Sequence, residues 1–158
     1  MAAPHRRRNQ RGLTLVELIV AFTIMMVLTA MSVPLARTKV RREKEKELRL
    51  SLREIRNAID KYKDMADKNQ LGPTKVGSEG YPESLEILVE GVKVSGAVDK
   101  KVKLLRRIPK DPMTNSTDWG KRSMQDDPRS MGWGGQNLFD VYTKSMEKAA
   151  DGTPYSEW

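Results

Sequence analysis

The chain has 158 residues, a formal net charge of +8 and 32% charged residues, which leaves room for one modest domain beside a membrane segment. It contains no Cys and one His, His5, so disulfides and thiol chemistry are excluded. Histidine-based catalysis and most transition-metal sites are excluded beyond that fifth residue.

Residues 1–12 form a short leader with four Arg, at positions 6, 7, 8 and 11. From Leu13 to Val33 there are 21 residues, sixteen of them Leu, Val, Ile, Ala, Phe or Met. As a helix this run measures roughly 31 Å, against about 30 Å of bilayer hydrocarbon, and it predicts a spanning helix over 13–33. Glu17 is its one ionisable residue. A carboxylate in a spanning helix costs a few kcal/mol on insertion scales, so it marks function and calls for a partner. A cleavable secretory signal fits poorly, because its apolar core runs only about 7–15 residues and ends in a small-residue site.

Arg11-Gly12 directly precedes Leu13-Thr-Leu-Val-Glu17, and Pro34 lies 21 residues after Leu13. This stretch resembles the class III signal of type IV pilins and type II secretion pseudopilins. The resemblance implies cleavage between Gly12 and Leu13 by a prepilin peptidase, which also methylates the new terminus. Glu17 then falls at the family's fifth mature position and Pro34 at its twenty-second. Leu13 departs from the family, whose first mature residue is most often Phe or Met. Cleavage creates an α-amino cation with an ordinary pKa near 8. The Glu17 carboxylate of one subunit is then placed to meet that amine on a neighbour. An unpaired buried carboxylate is costly, which makes Glu17 a docking device.

Pro34 is expected to kink or interrupt the helix, which then continues as an amphipathic stalk over 34–68. Leu48, Leu52, Ile55, Ile59, Tyr62 and Ala66 are spaced 4, 3, 4, 3 and 4, one apolar stripe for a head to pack on. Glu45–Arg49 and Asp64–Lys68 are expected i,i+4 pairs. Residues 37–47 are nearly all charged and predict a solvated collar. Residues 34–68 carry 12 Lys or Arg against 7 Asp or Glu, whereas 69–158 carry 13 of each. The head is therefore neutral, and nucleic-acid binding, which needs a basic face, is not expected. A raw Lys/Arg count does not orient the span; an N-terminus inside the cytoplasm follows from the resemblance.

Residues 69–158 form the expected head. Residues 69–80 break the helix with three Gly and one Pro. Tyr81–Gly91 reads as a short helix with Pro82 in its first position and Gly91 at its stop. Asp111-Pro112 and Asn115 predict a turn, residues 116–135 a long irregular connection, and Leu138–Thr143 a strand with Phe139 and Val141 on one side. The Gly-Tyr-Pro entry, the Pro109-Lys-Asp-Pro112 turn and the Phe139-Asp-Val-Tyr142 to Trp158 ending are similar to the major pseudopilin of type II secretion. That resemblance implies a calcium site including Asp151, although the second acid of the family loop has no counterpart here.

No catalytic constellation is present, so an enzyme is not expected. The fold class read from these elements is α+β and pilin-like: a long spanning helix, its amphipathic extension, and a head with a short helix, long loops and a small antiparallel sheet. The implied function is a structural subunit of a periplasmic pseudopilus of a type II secretion system. Its partners would be copies of itself, the prepilin peptidase/methyltransferase, membrane lipid, an inner-membrane assembly platform and minor pseudopilins. The implied location is the bacterial inner membrane, then a periplasmic filament. Alternatives are a type IV pilus subunit, or a membrane-tethered binding domain that never polymerises.

Overall fold

The computed structural model describes residues 14–96 and 100–158, and of 31–36 the backbone alone. The chain divides into two compact units, Met1–Arg42 and Glu43–Trp158. Helix α1 (Leu15–Asp67) contributes to both and runs without interruption through position 34. The break expected at Pro34 is therefore absent. Among the described residues no helix is long and apolar enough to cross a membrane. The expected span of 13–33 includes Leu13 and the side chains of 31–33, which lie outside what is described.

In the second unit the apolar stripe of α1 becomes the floor of the core. Leu48, Leu52, Ile55, Ile59 and Tyr62 are buried, joined by Ala58, and Ala66 packs at the edge. Against them lie Leu71, Leu85, Leu88, Leu105, Trp119, Leu138, Val141, Ala149 and Tyr155. Each fully buried large apolar side chain contributes about 1.5–3 kcal/mol, so this cluster holds the head on the helix. Lys63 bonds Asp67 at 2.6 Å where Asp64–Lys68 was expected. Glu45 accepts a hydrogen bond from the Tyr155 hydroxyl at 2.7 Å, and the Arg49 guanidinium lies 4.1 Å from the centre of the Trp158 ring.

After α1 ends, Asn69 takes a left-handed φ of 52°, and the chain turns back. Helix α2 (Leu85–Glu90) is shorter than the sequence predicts, with Ser84 in extended conformation before it and Gly91 closing it at φ 98°. Pro82 lies outside α2 because its carbonyl accepts from the Leu138 N–H at 2.8 Å, tying that residue to the head. Leu85 and Leu88 are buried, as their spacing requires.

Two small antiparallel sheets follow. In the first, β1 (Val92–Lys93) pairs with β2 (Lys101–Val102), a hairpin the sequence reading did not anticipate. In the second, β3 (Gly120–Arg122) pairs with β4 (Asp140–Tyr142), with Lys121 opposite Val141. Strand β3 lies inside the stretch expected to be irregular. Its residues have no alternating pattern, and it exists because β4 supplies the ladder and Gly120 leaves room for the Tyr142 ring. A Cβ at Gly120 would stand 2.3 Å from that ring's Cζ. The expected alternation in β4 also fails: Val141 and Tyr142 are both buried, while Phe139 is half-exposed and stacks edge-on against Tyr81 at 5.3 Å. The turn at Asp111 forms as expected. Its buried carboxylate accepts from the Met113 N–H and from the hydroxyls of Thr114 and Thr143, and Asn115 adopts φ 57°.

Candidate functional site

The candidate site is the apolar beginning of α1. Eleven large apolar side chains between Leu15 and Leu28 are exposed, on every side of the helix. A helix that is apolar all round needs lipid or other helices around it, since water on such a surface is strongly unfavourable. Its polar groups are largely satisfied from within. Thr23 Oγ1 donates to the Ile19 carbonyl and Thr29 Oγ1 to the Met25 carbonyl, both at 2.7 Å. That back-bonding lets a hydroxyl sit in an apolar environment.

Glu17 is the exception. It lies in the first turn of α1, exposed, and its carboxylate meets no basic side chain among the described residues. Its backbone N–H donates to Thr14 Oγ1 at 3.3 Å, and the Leu18 N–H donates to the Thr14 carbonyl at 3.2 Å. Thr14 thus caps the helix, three residues before an acid, which is the spacing of a capping box. The sequence reading missed Thr14; the Thr-x-x-Glu spacing was the signal. The acid also stands where the positive end of the helix dipole favours it. Gly12 and Leu13, the expected processing site, lie outside the described residues, and of Pro34 only the helical backbone is described.

Asp151 lies far along the chain, in a tight turn. Its Oδ1 accepts from the Thr153 N–H at 2.9 Å, and Gly152 takes φ 88°. Those bonds, with a smaller contribution from the Arg49 cation, hold the Asp151 carboxyl below its ordinary range. Among the described residues no three His, Cys, Asp or Glu side chains converge. Calcium takes six to eight oxygen ligands, and the Asp151 carboxylate is engaged with the Thr153 N–H.

The head is tied to the stalk by a polar cluster that the sequence reading did not foresee. Arg56 of α1 donates from Nε to Asp140 Oδ1 at 2.7 Å, and from Nη2 to the main-chain oxygens of Val141 at 3.2 Å and Trp158 at 2.7 Å. Arg122 donates to the carbonyls of Ser130 and Ser156, both at 3.0 Å, and approaches the same Asp140 carboxylate at 3.6 Å.

Residues 7–33 match the prokaryotic N-terminal methylation motif. No curated protein and no solved structure matches the chain. The matched segment contains Gly12, Leu13, Thr14, Glu17 and most of the exposed apolar helix. The chain therefore carries the N-terminal signal processed by prepilin peptidases, and this supports a type IV pilin-like protein.

Proposed function

We propose that this chain is a structural subunit of a periplasmic pseudopilus of a type II secretion system. It is inserted in the inner membrane with its head outside the cytoplasm, cut between Gly12 and Leu13, methylated, and polymerised through α1. The observation that carries this reading is the methylation motif over 7–33, set on a helix whose exposed apolar surface holds a single acid. The Glu17 carboxylate pairs with the amine that cleavage creates on a neighbouring Leu13. A lone subunit bears the cost of an unpaired acid in an apolar setting, and the assembled one does not. Lipid, the peptidase, an assembly platform and minor pseudopilins are the remaining partners, and the role is structural rather than catalytic. The chain has no Cys with which to close the C-terminal loop common in surface pilins, which favours the pseudopilus over the pilus.

Three measurements test the reading. Terminal sequencing of the mature protein should give methyl-Leu13 as the first residue, and any other start overturns it. Glu17→Ala should be processed yet form no filaments; filaments at normal yield would remove the docking role. Loss of surface fibres with protein secretion intact, on deleting the gene, would assign the chain to a surface pilus instead.

A further inference from the structure

The neutral total of the head hides a separation of charge. Residues 92–110 hold seven Lys or Arg against one acid, Asp99, while the rest of the head, 69–91 and 111–158, holds six against twelve. All seven cations, Lys93, Lys100, Lys101, Lys103, Arg106, Arg107 and Lys110, are exposed. None of them makes an ion pair among the described residues. The acids elsewhere are in good part committed within the chain. Asp111 and Asp126 accept main-chain hydrogen bonds, Asp118 pairs with Lys144, Asp140 pairs with Arg56, and Asp151 closes its own turn.

The fold keeps these cations together against their own repulsion. Lys93 stands directly opposite Lys101 in the β1–β2 ladder, and like charges in that relation destabilise a sheet. The Lys101 and Lys103 side chains both flank Gly91, where an added Cβ would meet each at 3.3 Å. At one end of the group the Lys93 carbonyl accepts from the Gly72 N–H at 3.0 Å, just past Asp67, the last residue of α1. At the other end Arg106, Arg107 and Lys110 line a cleft with Glu47, Ser51 and Glu54 of α1. The cations therefore form a strip beside α1 that reaches from Glu54 to beyond Asp67, about 20 Å of helix.

We infer that this strip binds the phosphate backbone of duplex nucleic acid without reading its sequence. Charge is all it offers, because residues 92–110 contain no aromatic side chain and, Ser95 apart, no hydroxyl or amide side chain. A single strand is held by aromatic rings on which its bases stack, and the strip has none. A duplex presents one phosphate charge per about 1.7 Å of its axis, so about 20 Å of it brings roughly a dozen charges past the strip. The width of the strip selects a rod over a plane. Glu47 and Glu54 border it, so a flat anionic bilayer broad enough to cover the strip would press on both acids. A duplex laid along the strip need not. This surface is independent of the assembly reading and stands or falls apart from it.

The test uses the full chain in nanodiscs of zwitterionic lipid and a fluorescent DNA duplex of mixed sequence. The duplex should bind, with log K falling against log salt at a slope of about −5 if most of the strip engages. Lys101→Glu/Lys103→Glu should weaken binding at least about tenfold and flatten that slope by about 2. The same change of charge at exposed Lys75 and Arg129 should weaken it less than about threefold. Lys101→Glu alone sets opposite charges across the ladder, so the unfolding midpoint should hold while affinity falls; a merely structural role would move both together. Absence of duplex binding at low salt overturns the inference. So does binding that the strip variants retain, which would place the DNA on the basic residues of 37–49 instead. Tighter binding per charge to polyglutamate than to the duplex would assign the strip to an acidic polypeptide and overturn it too. In nanodiscs of anionic lipid without DNA, Lys93, Lys101 and Lys103 should be acetylated as fast as Lys75, and protection there would assign the strip to lipid.

Discussion

Arg56 is the residue on which the head's attachment to α1 depends most visibly, because one guanidinium serves Asp140, Val141 and Trp158 at once. Removing it leaves the half-buried Asp140 carboxylate with only the 3.6 Å approach of Arg122 and takes a donor from two main-chain oxygens. Arg56→Ala should cost about 2 kcal/mol of the second unit's stability, read as a fall in the urea midpoint of the full chain in detergent. Arg56→Lys should recover little of this, since a single ammonium cannot reproduce the fork; full recovery would show that charge alone suffices. Gly120 matters for the opposite reason, the absence of a side chain. A methyl group there overlaps the Tyr142 ring, whose hydroxyl donates to the Met131 carbonyl at 2.7 Å. Gly120→Ala should therefore destabilise by about 2–3 kcal/mol, and an unchanged midpoint would mean that the ring moves aside freely.

At the level of elements, the segment between β3 and β4 is held by its own acids rather than by a regular ladder. Asp126 Oδ2 accepts from the Ser123 N–H at 2.7 Å and from the Gly134 N–H at 3.0 Å, and Asn137 accepts from the Met124 N–H. The bonds from Ser123 and then Gly134 hold the Asp126 carboxyl below its ordinary value. A depressed carboxyl stabilises the fold above its ordinary pKa of about 3.9. That contribution disappears as pH falls through the lowered value. Hydrogen-exchange protection at Ser123 and Gly134 should accordingly drop between pH 4 and pH 2, about the acid range of such groups. Asp126→Asn should show reduced protection with no step. Protection that stays level in the native chain across that range would contradict this account. Lys63 acts similarly at the other end of α1, joining Asp67 to the Glu79 carbonyl, and the Asp67 carboxylate raises its ammonium above the usual value.

For the whole molecule, the two units answer to different surroundings. Residues 43–158 bury their apolar face within the chain, whereas the described part of 1–42 leaves its apolar side chains outward. A chain built this way is expected to be insoluble without detergent or partners at its N-terminal end. Cutting after Arg42 should release a soluble head, and a head that aggregates on release would show that the apolar start of α1 is not what limits solubility.

What the sequence determined by itself was whatever is written in local periodicity and spacing: the apolar run, the signal around Gly12 and Glu17, and the stripe from Leu48 to Ala66. The turn at Asp111 and the stop at Gly91 belong with these. Each depends on residues within a few positions of one another, so no distant partner has to be known. Only the tertiary structure decided the rest. Strand β3 exists because β4 offers it hydrogen bonds, Pro82 is withdrawn from α2 by Leu138, and Arg56, Asp140 and Trp158 meet across 84 and 102 residues of chain. A hydrogen bond between residues so far apart leaves no trace in the spacing of either one, because its geometry is set by how the intervening chain packs on the helix.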